Sequence, residues 1–492
     1  MTAPGWLSRR RVMIGAAPLL WWPPAARAVV LEGEADVRSA GAVGDGITDD
    51  RPALQQVIDR ARHVVFPPGR YRIGGPLVPR SGQVWRGAGA SISEITLGPD
   101  NLTPPFNAIH GSGTLTDWQM IDLGVVGNQP VQTTRDRTGQ SCFGLYLRGD
   151  VRQITLLRCR FAQLGEGRSR HATDDTGGGG VVIGPAPTDE DQALEDIAVL
   201  ECVFEHNGNV PGVYINGGTR AGRMRRGVRI VGNRFTGVPT ATRFQNCIYV
   251  LAEHPAAAIS GVTIADNRCE IDTSIDACIE LNHVDGFRIA GNHIHVRSGA
   301  PGSSAMLIRD GSRRGVITGN VLVETGHMPD QAGILLVNFQ NPGTQEDIAI
   351  THNSIAGFGW RSIGIDRGSR GVLVANNRVS AITRPLECAV RVAAAQHVRI
   401  EALLVSDATL ALAGFGTTVE NRIEDLVASG VHMVRCGGTD APISFAGALT
   451  SRVRLSNLRL VDPIPGTPAL VRGPASLDIR DSDPADLPLR VE

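Results

Sequence analysis

Gly232-Asn233-Arg234-Phe235 is the stretch from which the fold is read, because the chain keeps returning to it. Val228-Arg229-Ile230 leads into it. Val262-Thr263-Ile264 leads in the same way into Asp266-Asn267, and Phe287-Arg288-Ile289 into Gly291-Asn292. The slot returns at Asn320, Asn353 and Asn377, and Cys159 and Cys202 occupy it earlier. Successive Asn lie from 24 residues (Asn353 to Asn377) to 34 residues (Asn233 to Asn267) apart, a period that marks a solenoid. Each unit reads apolar-x-apolar, a polar turn residue, then another short apolar piece. That is period 2, so the units are strands and not helices.

Short strands recurring in this way suit a coil that climbs one strand spacing, ~4.8 Å, per turn. An Asn at one corner of every coil then stacks on the Asn of the next, and its amide satisfies backbone groups that the turn leaves unpaired. This resembles the asparagine ladder of right-handed parallel β-helices. The expected fold is therefore all-β: a single-stranded right-handed parallel β-helix with a short N-terminal capping helix. A β-sandwich with repeated turns is the alternative; the uneven spacing and the fixed Asn slot count against it.

The 492 residues would suffice for two or three ordinary domains, but the repeat covers most of them, so one elongated domain is expected. Its clear repeats run over about 145–380, with weaker coils to the C-terminus. A formal net charge of −1 gives no electrostatic case for nucleic acid or an anionic membrane. The basic residues are all Arg, which excludes any mechanism needing a Lys base or Schiff base.

Residues 1–28 read as a targeting segment. Ser8-Arg9-Arg10-Arg11-Val12-Met13 resembles a twin-arginine export signal, an apolar run follows to Trp22, and Ala26-Arg27-Ala28 reads as a cleavage site. The expectation is a mature chain from Val29, periplasmic or secreted, with no stable membrane insertion. An N-terminal anchor is the alternative, for which the apolar run is short. Eight Cys in an exported chain invite disulfides. Cys159 and Cys202 share one ladder slot, however, and Cys247 and Cys278 each precede an inward residue, so stacked core thiols are expected instead.

Near the N-terminus, Gly41-Ala42-Val43-Gly44-Asp45-Gly46-Ile47-Thr48-Asp49-Asp50 precedes a short helix with an apolar stripe at Leu54, Val57, Ile58 and Ala61. Phe66-Pro67-Pro68-Gly69-Arg70-Tyr71 follows. This arrangement resembles the N-terminal signature of the pectate-lyase-like superfamily, which includes pectate-type lyases, polygalacturonase-like hydrolases, alginate epimerases and some phage tailspikes. The resemblance implies that the helix caps the open end of the β-helix. Asp45, Asp49 and Asp50 then read as turn and cap residues rather than catalysts.

A second set of strands precedes the Asn-bearing ones: Gly144 to Arg148, Val181 to Gly184, Val213 to Asn216, Ile248 to Leu251, Ile279 to Asn282, Met306 to Arg309, Ile334 to Val337, Ile363 to Asp366 and Val390 to Ala393. Alternation points Tyr146, Arg148, Tyr214, Asn216, Tyr249, Glu280, Asn282, Arg309, Asp366 and Arg391 away from the core. Three of the four Tyr in the chain fall on this stripe. Aromatic and polar side chains in a row suit a bound sugar chain. The resemblance implies a substrate groove on the same sheet.

The central candidates are Glu280, Tyr249, Arg309, Asp310 and His254, with Tyr146, Arg148, Tyr214, Asn216, Asn282, His283, Asp366 and Arg391 binding substrate. Asp174 and Asp175, in the insertion Arg168 to Asp175, would fold over the groove. Two chemistries fit. A lyase needs a base, a group neutralising a uronate carboxylate, and often a Tyr or His acid; Tyr249 or His254 as base, with Arg309 and Asn282 on the carboxylate, would serve. A hydrolase needs two carboxyl groups, and Glu280 with Asp310 is the pair on offer. No cofactor is required; a calcium ion on Asp174, Asp175 and Glu280 is an alternative without a recognisable ligand pattern. The hydrolases' Asn-Thr-Asp strand and the epimerases' Asp-Pro-His motif are both missing. A polysaccharide is the expected partner, with the lyase ahead of the hydrolase, and a non-catalytic glycan-binding or tailspike-like protein as the competing class.

Overall fold

The computed structural model describes residues 33–98, 107–127, 143–164, 179–186, 192–205, 207, 212–218, 224–237, 246–271, 277–297, 304–326, 331–339, 344–382, 386–415, 423–446, 450–474, 476–483 and 486–491. The targeting segment, Cys142, Asp174 and Asp175 lie outside these residues. The chain forms a right-handed parallel β-helix. Strands pair in parallel with the equivalent strand of the next coil, from Glu34–Asp36 at one end to Arg490–Val491 at the other. Three sheets run the length of the coil. One carries the stripe, as in Val213–Asn216, Ile248–Leu251 and Ala277–Asn282. The second holds Arg225–Val231, Ile259–Ala265 and Val284–Ala290, and the third Arg234–Thr236, Arg268–Ile271 and His293–Val296.

The corner between the second and third sheets is the Asn ladder. Asn233, Asn267, Asn292, Asn320, Asn353 and Asn377 are all buried. The Oδ1 of Asn267 accepts both the backbone N–H and the Nδ2 of Asn233, each at 2.9 Å. Asn292 does the same for Asn267, and Asn320 for Asn292. Each Nδ2 also donates to a carbonyl of the coil before, as from Asn292 to Ile264 at 3.0 Å. The residue ahead of each Asn turns left-handed: Gly232 at φ 70°, Asp266 at 56°, Gly291 at 66°, His352 at 57° and Asn376 at 55°. That is why Gly, Asp, Asn and His precede the ladder residue, since they tolerate this region best. Cys159 and Cys202 continue the ladder: the Cys159 N–H reaches the Cys202 sulfur at 3.4 Å, and the Cys202 N–H reaches Asn233 Oδ1 at 2.8 Å.

The coils do not weaken where the sequence repeat fades. Beyond Asn377 the slot is taken by buried Leu403, Val431 and Leu458, and the strands Gln396–Ser406 and Ile423–Val434 run through the corner unbroken. An apolar side chain fills the corner, so the Asn signature vanishes while the coil persists. Inside, Phe161, Phe204 and Phe235 stack at 5.3 and 4.8 Å between centroids, nearly parallel at 10° and 6°. Cys159, Cys202, Cys247, Cys269, Cys278, Cys388 and Cys436 are buried free thiols, and Cys247 and Cys278 lie in register on adjacent coils.

The capping helix is Arg51–Ile58, with Leu54, Val57 and Ile58 buried against the first coils; Ala61 lies past its end. Asp50 does not cap it by side chain. Its carboxylate instead accepts the N–H groups of Val43 at 2.6 Å and Gly44 at 3.0 Å, so it holds the preceding turn. Asp45 holds the Ile47 and Thr48 N–H groups, and Asp49 those of Arg51 and Gly74. All three are structural. Among the described residues no helix is long and apolar enough to cross a membrane.

Asn292→Ala would strip the Asn267 N–H and Nδ2 of their acceptor in a buried corner. The expected cost is about 3 kcal/mol, since each buried unsatisfied group costs roughly 1–3. Urea unfolding midpoints check this, with the exposed Ser354→Ala on the same face as a near-neutral control.

Candidate functional site

The stripe sheet has the expected register. Tyr146 pairs with Val182, Val182 with Tyr214, Tyr214 with Tyr249, Tyr249 with Glu280 and Glu280 with Leu307. Asn216, Leu251, Asn282 and Arg309 form the parallel column two residues on. The three tyrosines share one face but not one stack, because buried Val182 divides them. Tyr146 stacks on His110 with centroids 5.2 Å apart, and Tyr214 on Tyr249 at 5.2 Å and 15°.

Arg309 is the centre of the site. It starts one coil beyond Glu280 and diagonal to it, and its length lets it reach back across two coils. Its Nη2 donates to the Tyr249 hydroxyl at 3.0 Å. Its Nε lies 2.8 Å from Glu280 Oε1 and 3.7 Å from Asp310 Oδ2. The Nε contact is an ion pair by distance, but the N–H is not aligned for a hydrogen bond. Glu280 Oε2 accepts from Asn246 Nδ2 at 2.7 Å. The Glu280 side chain is 3% exposed against 20% for Arg309, so the guanidinium, not the carboxylate, faces outward. Burial opposes the Arg309 charge, but Glu280, Tyr249 and Asp310 outweigh it and hold the group above its ordinary value.

Glu280, Asn216 and Asn282 point away from the core as alternation required, yet all three are buried, as is Asp310 just past the strand. Asn216 serves its own strand end: its Oδ1 accepts the Gly218 N–H at 2.6 Å and its Nδ2 donates to the Tyr214 hydroxyl at 2.8 Å. Asn282 Oδ1 has no hydrogen-bond partner among the described residues. His283 and Asp310 follow Asn282 and Arg309 at left-handed corners, φ 50° and 48°, one coil apart. Asp310 Oδ1 accepts the Phe339 N–H at 2.8 Å. Burial lowers the His283 pKa; Asp310 works against this, and His254 and Arg309 add to it. His254 is exposed, and its Nδ1 accepts the Ala256 N–H at 3.1 Å, capping the turn Pro255–Ala257. Arg148 lies near enough to Tyr214 for its charge to be felt there, and its Nε is buried without a hydrogen bond.

Asp366 and Arg391 fall in a separate cluster. Asp366 is ion-paired with Arg361, and Arg391 lies 5.0 Å from the Phe415 ring centroid and 5.9 Å from that of Trp360. Asn246, His110, Phe339, Trp360 and Phe415 were absent from the sequence reading. Asn246, Phe339 and Trp360 flank the stripe strands rather than lying within them, beyond the reach of alternation. Phe339 left one usable signal: an Asn-Phe-Gln directly after a stripe strand, 58% exposed here. No three His, Cys, Asp or Glu side chains among the described residues group to hold a metal ion. Glu280 is already engaged by Arg309 and Asn246.

Burial holds the Tyr214 phenol up to about 12, with Arg148 opposing; burial and Glu280 push Tyr249 up further still, against Arg309. Both sites bind their protons more tightly folded than unfolded. The Tyr214 contribution is full below the ordinary value of 10.0 and is lost as pH rises through about 12, and that of Tyr249 is lost at higher pH still. Tyr214→Phe should therefore lose less stability than the parent between these values in urea melts. Arg309→Met removes the Arg309 cation from the buried Glu280 carboxylate, at a cost of about 3–5 kcal/mol. The double variant with Glu280→Gln should recover more than half of that.

Residues 35–108 match the profile of the family described as Rhamnogalacturonase A/epimerase, pectate lyase-like. Among curated proteins none matches the sequence. Among solved structures, the chain is similar to the pre-mature gene product 12 of bacteriophage phi29, at 13% identity and a TM-score of 0.55, over 89% of this chain and 54% of that one. The N-terminal fragment of the same phage protein matches at 12% identity and 0.53, over 90% and 70%. The family 28 exopolygalacturonase of Yersinia enterocolitica follows at 13% and 0.48, over 86% and 78%. The chain thus spans about half the length of the first phage protein, and identities this low speak to fold alone. The chain is thus a right-handed parallel β-helix whose residues 35–108 match that family's profile.

Proposed function

We propose that this chain acts on a polysaccharide laid along the stripe, and that its reaction is β-elimination in a uronate polymer. The supporting observation is the partly exposed Arg309 guanidinium, 3.0 Å from the Tyr249 hydroxyl on an aromatic floor. Arg309 keeps donors free beyond those facing Glu280 and Tyr249, and these neutralise the substrate carboxylate, acidifying the C5 proton. His283, held neutral by burial, takes that proton. The C5–H electron pair becomes the C4–C5 double bond, the C4–O4 bond breaks, and Tyr249, protonated across the physiological range, gives its proton to the leaving oxygen. This revises the assignment of the base: Tyr249 suits the acid, and the His254 Nδ1 is committed to a cap.

Hydrolysis by Glu280 and Asp310 is less well supported. Both carboxylates are buried and both lie against one guanidinium, so neither is presented to a glycosidic oxygen. The same burial favours the second reading, a glycan-binding protein without turnover. The family profile matched by residues 35–108 gives the carbohydrate role its wider support. Export by the twin-arginine route belongs to the proposal, since it brings a folded chain to extracytoplasmic polysaccharide.

The test is incubation with a panel of uronate polysaccharides. Unsaturated ends absorbing in the ultraviolet, rising together with reducing ends, are expected; reducing ends alone point to hydrolysis, and binding with neither leaves the binding protein. Tyr249→Phe and His283→Gln should each lower the rate by about 10²-fold or more without moving the urea midpoint. The acid limb of kcat/KM should lie below the ordinary histidine value of 6.5, because His283 charges only there.

A further inference from the structure

Continuing past Glu280, the same outward column runs through Leu307, Leu335 and Gly364 to Arg391. Four coil steps at ~4.8 Å put Arg391 about 19 Å along the axis. Here Val337, Phe339, Asp366, Arg391 and Phe415 line a cleft of about 330 Å³, within the range of small-molecule sites.

Two of its polar groups are incomplete. The Nε of Arg391 is buried without a hydrogen-bond partner, and among the described residues no carboxylate pairs with it; its visible company is the Trp360 and Phe415 rings. Asp366 uses one oxygen on Arg361, and its Oδ1 is buried without a partner. Arg361 in turn stacks on Trp360, its guanidinium carbon 3.5 Å from the ring centroid. Asp366 is thus neutralised by Arg361, and Arg391 is left as an unanswered cation beside an open acceptor. A buried donor and a buried acceptor are normally satisfied, and here the missing partners face a cleft.

We propose that this cleft is a separate subsite for a uronate residue of the bound polymer, its carboxylate taken by Arg391 and a ring hydroxyl by Asp366 Oδ1. A planar carboxylate matches the guanidinium fork, and the Phe415 and Phe339 rings suit the sugar face. Phe339 joins the two sites, for its ring lies 5.9 Å from the Arg309 guanidinium and also walls the cleft. The ligand is then an acidic polysaccharide long enough to reach from Arg309 to Arg391. The inference rests on the stripe being a polysaccharide groove and not on any turnover.

The test is affinity electrophoresis of the full chain in gels holding alginate, polygalacturonate, hyaluronan, dextran sulfate or neutral dextran. At least one uronate polymer should retard the parent chain, and neutral dextran should not. Arg391→Gln should weaken that retardation at least tenfold with an unmoved urea midpoint, Arg391→Lys should weaken it less, and Phe339→Ala should weaken it too. Retardation by no uronate polymer, or equal retardation of Arg391→Gln and parent, overturns the subsite. Tighter binding of dextran sulfate than of every uronate polymer overturns the carboxylate assignment in favour of a sulfate ester. If Arg391→Gln binds weakly while no polymer is cleaved, the elimination reading falls and the subsite stands. If a polymer is cleaved and the KM of Arg391→Gln equals the parent's, the subsite falls and elimination stands.

Discussion

The molecule depends on one constraint: each coil must lie one strand spacing above the last with its corners aligned. The Asn ladder imposes it. From Asn267 to Asn377 each Oδ1 holds two donors of the neighbouring coil, and every Nδ2 reaches back to a carbonyl, so a slip of one residue would orphan several buried groups at once. The core alone would not enforce this, because Val, Ile and Leu tolerate small shifts that directed hydrogen bonds do not. Where the ladder ends at Asn377, unbroken strands through the corner take over the task of fixing register.

Fixed register on one corner fixes it on the opposite sheet. Tyr249, Glu280 and Arg309, separated by 60 residues at the extremes, come into contact because the coil returns them to adjacent columns of one sheet. The left-handed corners at His283 and Asp310 follow from the same geometry. A solenoid builds its site by stacking, so the distances along it come in units of the coil, and the Arg391 cluster falls at a whole number of steps from Glu280.

Much of this was legible in the residues. The Asn slot gave the coil, and alternation gave the columns, down to the pairing of Tyr214 with Tyr249 and of Tyr249 with Glu280. What alternation does not encode is cover. It says that Glu280 leaves the core, but not that Asn246 and Arg309 close over it or that the Phe339 N–H binds Asp310, because those contacts come from strand ends and loops of unequal length. Glu280 therefore read as a reactive carboxylate, and the structure adds that it is buried and engaged by Arg309 and Asn246. His254 read as a base because its neighbourhood was right, but the local chemistry of a turn before Pro255 claimed its Nδ1. Trp360 and Phe415 escaped because they sit at the edges of strands, where no repeat marks a position as special.

The central claim is that stacked columns on one sheet form a single trough for an acidic sugar chain. A crystal structure with a bound uronate oligosaccharide tests it most directly. The account predicts a chain running parallel to the helix axis, with one carboxylate at Arg309, another at Arg391, and Phe339 between them. A ligand lying across the axis, or bound on either of the other two sheets, would contradict it.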